Sequence, residues 1–414
     1  MLYSWGLGIY KFRWTVIAIW AIILLAALPL GRLVTSELSN GFGRLDTEAQ
    51  HGVDVLDEVM GFTKSSITVV FRSDTYTYLD EIFRVEVEDV LGNLIASEEA
   101  ATGFVSPYNS GDPFMVSEDG HTIYTLIYLD TSVDEAMDMM PELRSKLLPT
   151  ELELWTTGGI PIFYDMNIVS ESDLRRGEMV AFPIIMLVLI LVFGSLVAAG
   201  LPMIIGAVSI IVTSALIFLL TQITDISIFV LNIATLLGLG VAIDYSLLFI
   251  NRFREEIDVH AIDESVAVTM STAGKSIMFS AITSLIGLSG LLLFDFMMLR
   301  SLGIGGVTVM LLSLLVSMTL LPAMVSVIGT KINAIRIMPA MNIVSNFWHG
   351  LARWVMRHPL PVVLPLTIFL LLLGTPFLRA NLGAPWASIL PDHVESRQGF
   401  DILNQDIGHG EGSP

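Results

Sequence analysis

Seven apolar runs, each long enough to cross a bilayer, constrain this chain more than any other feature. They cover residues 14–34, 179–199, 201–220, 226–251, 277–296, 302–327 and 360–378. A helix rises 1.5 Å per residue, so about 20 residues cross a hydrocarbon layer of roughly 30 Å. The first run follows Lys11 and Arg13 as a secretory signal would. It is too long for such a signal and no small-residue cleavage site follows, so it reads as a retained helix. Composition agrees: 53% of residues are hydrophobic and 15% charged, against about a quarter charged in soluble domains. A wholly soluble protein is excluded.

The chain has no cysteine, which excludes disulfides, thiolate metal sites and thiol nucleophiles. His51, His121, His260 and His393 match no metal-ligand spacing, so no metal or other cofactor is expected. A net charge of −20 argues against nucleic acid as a partner. That charge is localised. Residues 35–178 hold 28 acidic and 8 basic side chains, and the rest of the chain holds 13 of each. One acidic, water-facing domain therefore sits in a neutral membrane scaffold, its charge serving solubility rather than naming a ligand.

Orientation follows from the bias of Lys and Arg toward the cytoplasm. With the N-terminus inside, the inner segments hold Lys11, Arg13, Arg252, Arg254, Lys275, Lys331, Arg336, Arg353 and Arg357. The outer ends hold Arg32, Arg175, Arg176, Arg300 and Arg379. The acidic domain then lies outside. Periodicity predicts helices at 48–60, 78–95, 133–147 and 160–176, the last leading straight into the second span, and strands at 66–71, 121–129 and 152–156. The expected fold is a polytopic α-helical membrane protein with an α+β extracytoplasmic domain. Its parts are residues 1–34 (N-terminus and first span), 35–178 (outer domain), 179–330 (spans two to six), 331–358 (cytoplasmic linker), 359–378 (seventh span) and 379–414 (start of a second outer domain). Within the linker, residues 347–356 are amphipathic and are expected to lie along the inner leaflet.

A shift of 347 residues lays Glu395, Gly399, Asp401, Leu403 and Gly408 on Glu48, Gly52, Asp54, Leu56 and Gly61. Each set follows a spanning run. The chain thus reads as one complete repeat, truncated after the seventh helix and the start of the next. Transporters built from two repeats place the working site between them.

Asp244 is the strongest chemical signal. It lies in the fourth run, within Gly238-Leu239-Gly240-Val241-Ala242-Ile243-Asp244-Tyr245, about two turns from the run's inner end. A charged carboxylate at a helix centre costs about 2.5–3.5 kcal/mol on insertion scales and marks a functional site by default. Gly238 and Gly240 give room for a neighbouring helix. Tyr245 either donates to a carboxylate on that neighbour or packs as a ring in the bundle. Ser280, Thr283, Ser284 and Gly287 share one face of the fifth run. They serve either packing or the supply of hydroxyls and water to Asp244. An intramembrane aspartyl protease would need a second membrane aspartate. The chain's one Tyr-Asp pair, Tyr164-Asp165, lies in the outer domain instead.

Residues 238–256 closely resemble the fourth-helix signature of the MmpL branch of the resistance-nodulation-division (RND) superfamily. Residues 193–199, 299–306, Gly158-Gly159 and 170–176 resemble the same branch, in order along the whole chain. Phe294-Asp295-Phe296 departs from it, since that branch often has proline between the aromatics. The resemblance implies an RND-type porter-like outer domain in a multi-pass protein of the cytoplasmic membrane. It also implies a secondary active transporter, not an enzyme, that exports lipids or other hydrophobic molecules at the expense of the proton gradient. In that family the fourth-helix Asp-Tyr pair, here Asp244 and Tyr245, faces a second pair on the tenth helix, and together they relay protons. The partners implied are membrane lipids, a hydrophobic substrate, protons and the second repeat. The rival reading is an RND-like scaffold or protein-translocation helper that uses the same proton site.

Overall fold

A computed structural model describes residues 1–39, 51–52, 55, 65–149, 151–335, 342–379 and 387–408. Among these, seven helices are long and apolar enough to cross a membrane. They contain α2 (Arg13–Leu33), α5 (Gly159–Phe193), α6 (Leu196–Thr221), α7 (Val230–Ile257), α8 (Ile262–Ser289), α9 (Met297–Ile328) and α11 (Pro359–Gly374).

Hydropathy misplaces several ends, each for a visible reason. Residues 179–220 form one apolar stretch, and the second span was expected to end at Ala199. The chain instead turns at Gly194, whose φ of 65° suits glycine and whose N–H closes the helix on the Ile190 carbonyl at 2.7 Å. Ser195 then caps α6 and also donates to the Ile332 and Ala334 carbonyls at 2.9 and 2.7 Å. The helix α7 runs past Asn251 because Arg252 pairs with Glu255 and Glu256 one turn on. The helix α8 begins fifteen residues before the expected 277, through a charged turn that carries Asp263 and Glu264.

A short helix and a strand are among the elements that went unanticipated. The short helix α1 (Leu2–Lys11) lies against α8 so closely that a Cβ on Gly6 would sit 2.8 Å from the Ala267 Cα. The strand β2 (Ala101–Val105) joins β1 (Ser65–Arg72), β3 (Thr122–Leu129) and β4 (Glu153–Thr157) in an antiparallel sheet of order β2-β3-β1-β4. Alternation along β1 and β3 turns Ile67, Val69, Phe71, Ile123 and Ile127 into a core. That core is closed by α3 (Glu81–Ser97) and α4 (Val133–Lys146) through Phe83, Leu91, Met137 and Met140. The expected helix at 48–60 is described only at His51, Gly52 and Val55, all helical. The other repeat positions there lie outside the described residues.

Sheet and span are one mechanical piece. The helix α5 continues unbroken for 35 residues, about 52 Å, from the end of β4 into the membrane. The other end of the chain returns to the same sheet. The helix α12 (Glu395–Ile402) sits on the edge strand β4, where a Cβ on Gly399 would lie 2.9 Å from the Trp155 Cβ. Glu395 accepts from the Thr156 N–H and hydroxyl at 3.0 and 2.7 Å, and Thr157 donates to the Ser396 carbonyl at 2.8 Å. The open edge of the sheet is thereby covered. The linker helix α10 (Asn342–Arg357) is amphipathic as expected, with Leu351 and Trp354 exposed.

Candidate proton site in the membrane helices

The helix α7 is seated between α6 and α9 at three close approaches. A Cβ on Gly238 would meet the Val309 side chain at 2.6 Å, one on Gly206 would meet Leu239 at 2.9 Å, and one on Gly305 would meet Val230 at 2.6 Å. Small residues let helices in lipid approach closely enough for dispersion to hold them. Gly238 thus gives room to a neighbouring helix, α9, as expected, whereas a Cβ on Gly240 would meet nothing within 4 Å. The two glycines predict opposite results. Gly238→Val lowers the thermal midpoint of the purified chain by an overpacking cost of about 1–3 kcal/mol, while Gly240→Val leaves it unchanged. Equal melting of the two variants would contradict this packing.

Asp244 lies midway along α7, about 12 Å on the axis from Arg252. Its side chain is exposed, in line with Leu236, Gly240 and Leu248 at successive i+4 positions. Among the described residues it makes no hydrogen bond or ion pair. Tyr245 turns the other way: it is 7% exposed and its hydroxyl donates to the Met310 sulfur of α9 at 3.3 Å. The pair thus straddles the boundary between bundle core and open face.

The neighbouring helix α8 lines the same open face. Ser280, Thr283 and Gly287 are exposed and Ser284 is half-buried. The Thr283 hydroxyl donates to the Phe279 carbonyl at 2.9 Å, and Ser280 interacts with the Tyr245 phenol. Asp244 and the predicted hydroxyls therefore occupy adjacent helices beside a surface that no described helix covers. Asp295 is exposed outside this group.

Two polar features escaped the sequence. Ser209 of α6 and Ser313 of α9 share a hydrogen bond of 2.7 Å inside the bundle. In the sheet domain, Arg144 forks onto Asp165 at 2.7 and 2.8 Å, and its Nε donates to the Thr156 hydroxyl at 2.9 Å and lies 3.3 Å from Glu395. Burial disfavours the Arg144 charge, but these acids outweigh burial and push its pKa above the ordinary arginine value. Long-range pairing of this kind leaves no local pattern in a sequence. A cleft of about 200 Å³ joins the sheet domain to the N-terminal end of α7, lined by Asp138, Asn167, Glu171 and Asn232 among others. There the Asn232 amide donates to Ser170 of α5 at 3.2 Å.

A membrane protein of Streptomyces coelicolor is 28% identical over 409 residues, covering 96% of this chain and 56% of the relative. Membrane protein YdfJ of Bacillus subtilis is 26% identical over 420 residues, covering 99% and 56%. The trehalose monomycolate exporter MmpL3 of Mycolicibacterium smegmatis is 25% identical over 449 residues, covering 96% and 44%. The chain spans about half the length of the curated relatives it matches. The sequence profile of the MMPL family matches residues 45–362, more than three quarters of the chain, and this multi-pass membrane protein therefore belongs to the MMPL family, a branch of the RND superfamily.

Proposed function

We propose that this chain supplies one repeat of a proton-driven exporter that moves lipids or other hydrophobic molecules across the cytoplasmic membrane, with Asp244 carrying the proton. The observation that supports this most is the exposed, unpaired carboxylate at the middle of a spanning helix. Facing lipid, such a group is costly; facing a second repeat across a wet seam, it is a titrating site. The relative named as a trehalose monomycolate exporter favours a lipid as cargo. Tyr245, held by Met310, positions the helix turn that carries Asp244, and Ser280 and Thr283 offer hydroxyls along the seam.

The path from proton to cargo runs along two rigid helices. Protonation changes what Asp244 tolerates as a neighbour and so shifts α7 between two packings. Asn232, on the same helix about 18 Å outward, touches Ser170 of α5, and α5 enters the sheet domain without a break. With that domain outside, motion of α7 reaches the surface where lipid leaves the bilayer. One proton moving inward releases about 2.3 kcal/mol per 100 mV and about 1.4 kcal/mol per pH unit, enough to bias such a pair of states.

The test uses cells that depend on the natural-length protein. Collapsing the proton gradient with a protonophore at constant ATP stops lipid delivery to the outer face within minutes. Delivery that continues at its normal rate overturns the proposal. A defect confined to protein secretion favours the scaffold or helper reading instead.

A further inference from the structure

We propose that the crook between α1 and α2 is a binding groove for one acyl chain of an anionic phospholipid of the cytoplasmic leaflet. The groove is a cavity of about 1210 Å³, walled by α1 and α2 on one side and by α6 and α9 on the other. It is separate from the Asp244 face, which is formed by α7 and α8.

Its lining decides the ligand class. Gly8 and Ala26 hollow the α1–α2 wall, and Leu219 and Leu315 face them. Apart from Ser4 and Met1 at the start of the chain, the polar side chains lining the groove are engaged: the Trp20 indole donates to the Thr319 hydroxyl at 2.9 Å and the Trp5 indole to the Met318 carbonyl at 3.3 Å. Those bonds fix both rings as flat hydrocarbon walls and leave the groove little to offer except carbon. Along α2 the lining runs from Val16 to Leu30, about 21 Å of helix axis, most of the roughly 30 Å hydrocarbon layer. A ligand that is apolar along such a length, and straight, is a lipid chain.

Two further observations name its source. The groove opens to the bilayer along α2, where its lining residues Ile19 and Ile23 are still 51% and 37% exposed, so a membrane lipid enters without crossing polar surface. At its inner mouth the α1–α2 elbow at Phe12 is flanked by Lys11 and Arg13. Their side chains rest on the Phe12 and Tyr10 rings at 5.5 and 4.5 Å. Neither cation is in an ion pair among the described residues. Juxtamembrane cations attract anionic headgroups. An inner-leaflet phosphate at the elbow and its chain in the groove satisfy both ends.

The experiment is lipid retention by the purified chain. The protein is delipidated by repeated exchange in mild detergent, and phospholipid per chain is then counted by native mass spectrometry. The expected result is one retained phospholipid, enriched in anionic headgroups several-fold over the membrane average. Ala26→Trp and Gly8→Phe, which fill open space in the groove, lose it. Ala18→Trp, equal bulk on an exposed position outside the groove, keeps it. Lys11→Gln with Arg13→Gln keeps a lipid but loses the anionic enrichment. A native chain that retains none, or a filled groove that retains as much as the control, overturns the proposal. The chain has no cysteine, so a fluorophore on Ala26→Cys gives a second reading in intact bilayers. Lipids brominated on the acyl chain quench it more strongly than the same fluorophore on Ala18→Cys. Equal quenching at the two sites counts against the groove.

Discussion

Asp244→Asn abolishes lipid export by the natural-length protein and leaves its abundance and melting unchanged. Asparagine has the shape of aspartate, and among the described residues Asp244 forms no hydrogen bond or ion pair that the change would break. The stability effect should stay within about 0.5 kcal/mol, as for a substitution away from packing and pairing. What asparagine cannot do is accept a proton. Export should fall to background, because without titration the two packings of the bundle have no gradient-dependent difference in free energy. Transport is read as labelled lipid reaching the outer face, with membrane content of the protein measured in the same cells. Near-normal export by the variant removes the proton carrier from this site. Tyr245→Phe is the contrast. It removes one bond to the Met310 sulfur, a loss of about 0.5–1.5 kcal/mol, so melting should drop slightly and export should persist in part.

The membrane fold was legible because its signal is additive: seven runs each accumulate hydropathy over about 20 residues. Asp244 was legible for the complementary reason, since a single acid stands out against such a run. The strands β1 and β3 were readable from their alternation, whereas β2 contains Ala101 and Gly103, neither a strong strand former, and was missed. The turn at Gly194 was invisible to hydropathy because apolar residues flank it on both sides. Tyr245 shows a different limit. Neighbouring helical residues differ by about 100° in direction, so Asp244 and Tyr245 point different ways even though they are adjacent in sequence. Which of the two faces the core depends on what the other helices bring. Arg144, Asp165 and Glu395 show the hardest case. Their association spans 230 residues from Asp165 to Glu395 and rests on a bidentate geometry that sequence spacing does not encode.

That association predicts the largest stability effect. Arg144 and Asp165 have side chains only 20% and 9% exposed. Removing one partner of a buried pair leaves an uncompensated charge, at a cost of about 3–5 kcal/mol. Arg144→Met should therefore melt the sheet domain well below the native chain, with Asp165 left to the Ser396 N–H at 3.3 Å. Arg144→Lys keeps the charge but loses the fork that matches both carboxylate oxygens and the Thr156 hydroxyl, so it should recover only part of the loss. Arg144→Met combined with Asp165→Leu removes both charges and should melt close to the native chain, since a buried ion pair is replaceable by carbon. If the single variant melts as the native chain does, the pair carries no stability. Hydrogen exchange separates a second consequence. The guanidinium lies against Glu395 at the start of α12, so exchange of the amides at 395–402 should accelerate in Arg144→Met even below its melting range. Docking of α12 ties the segment after α11 to the sheet that α5 carries out of the membrane. A loosened clamp then costs export without touching Asp244, which is how a mechanical link differs from a titrating one.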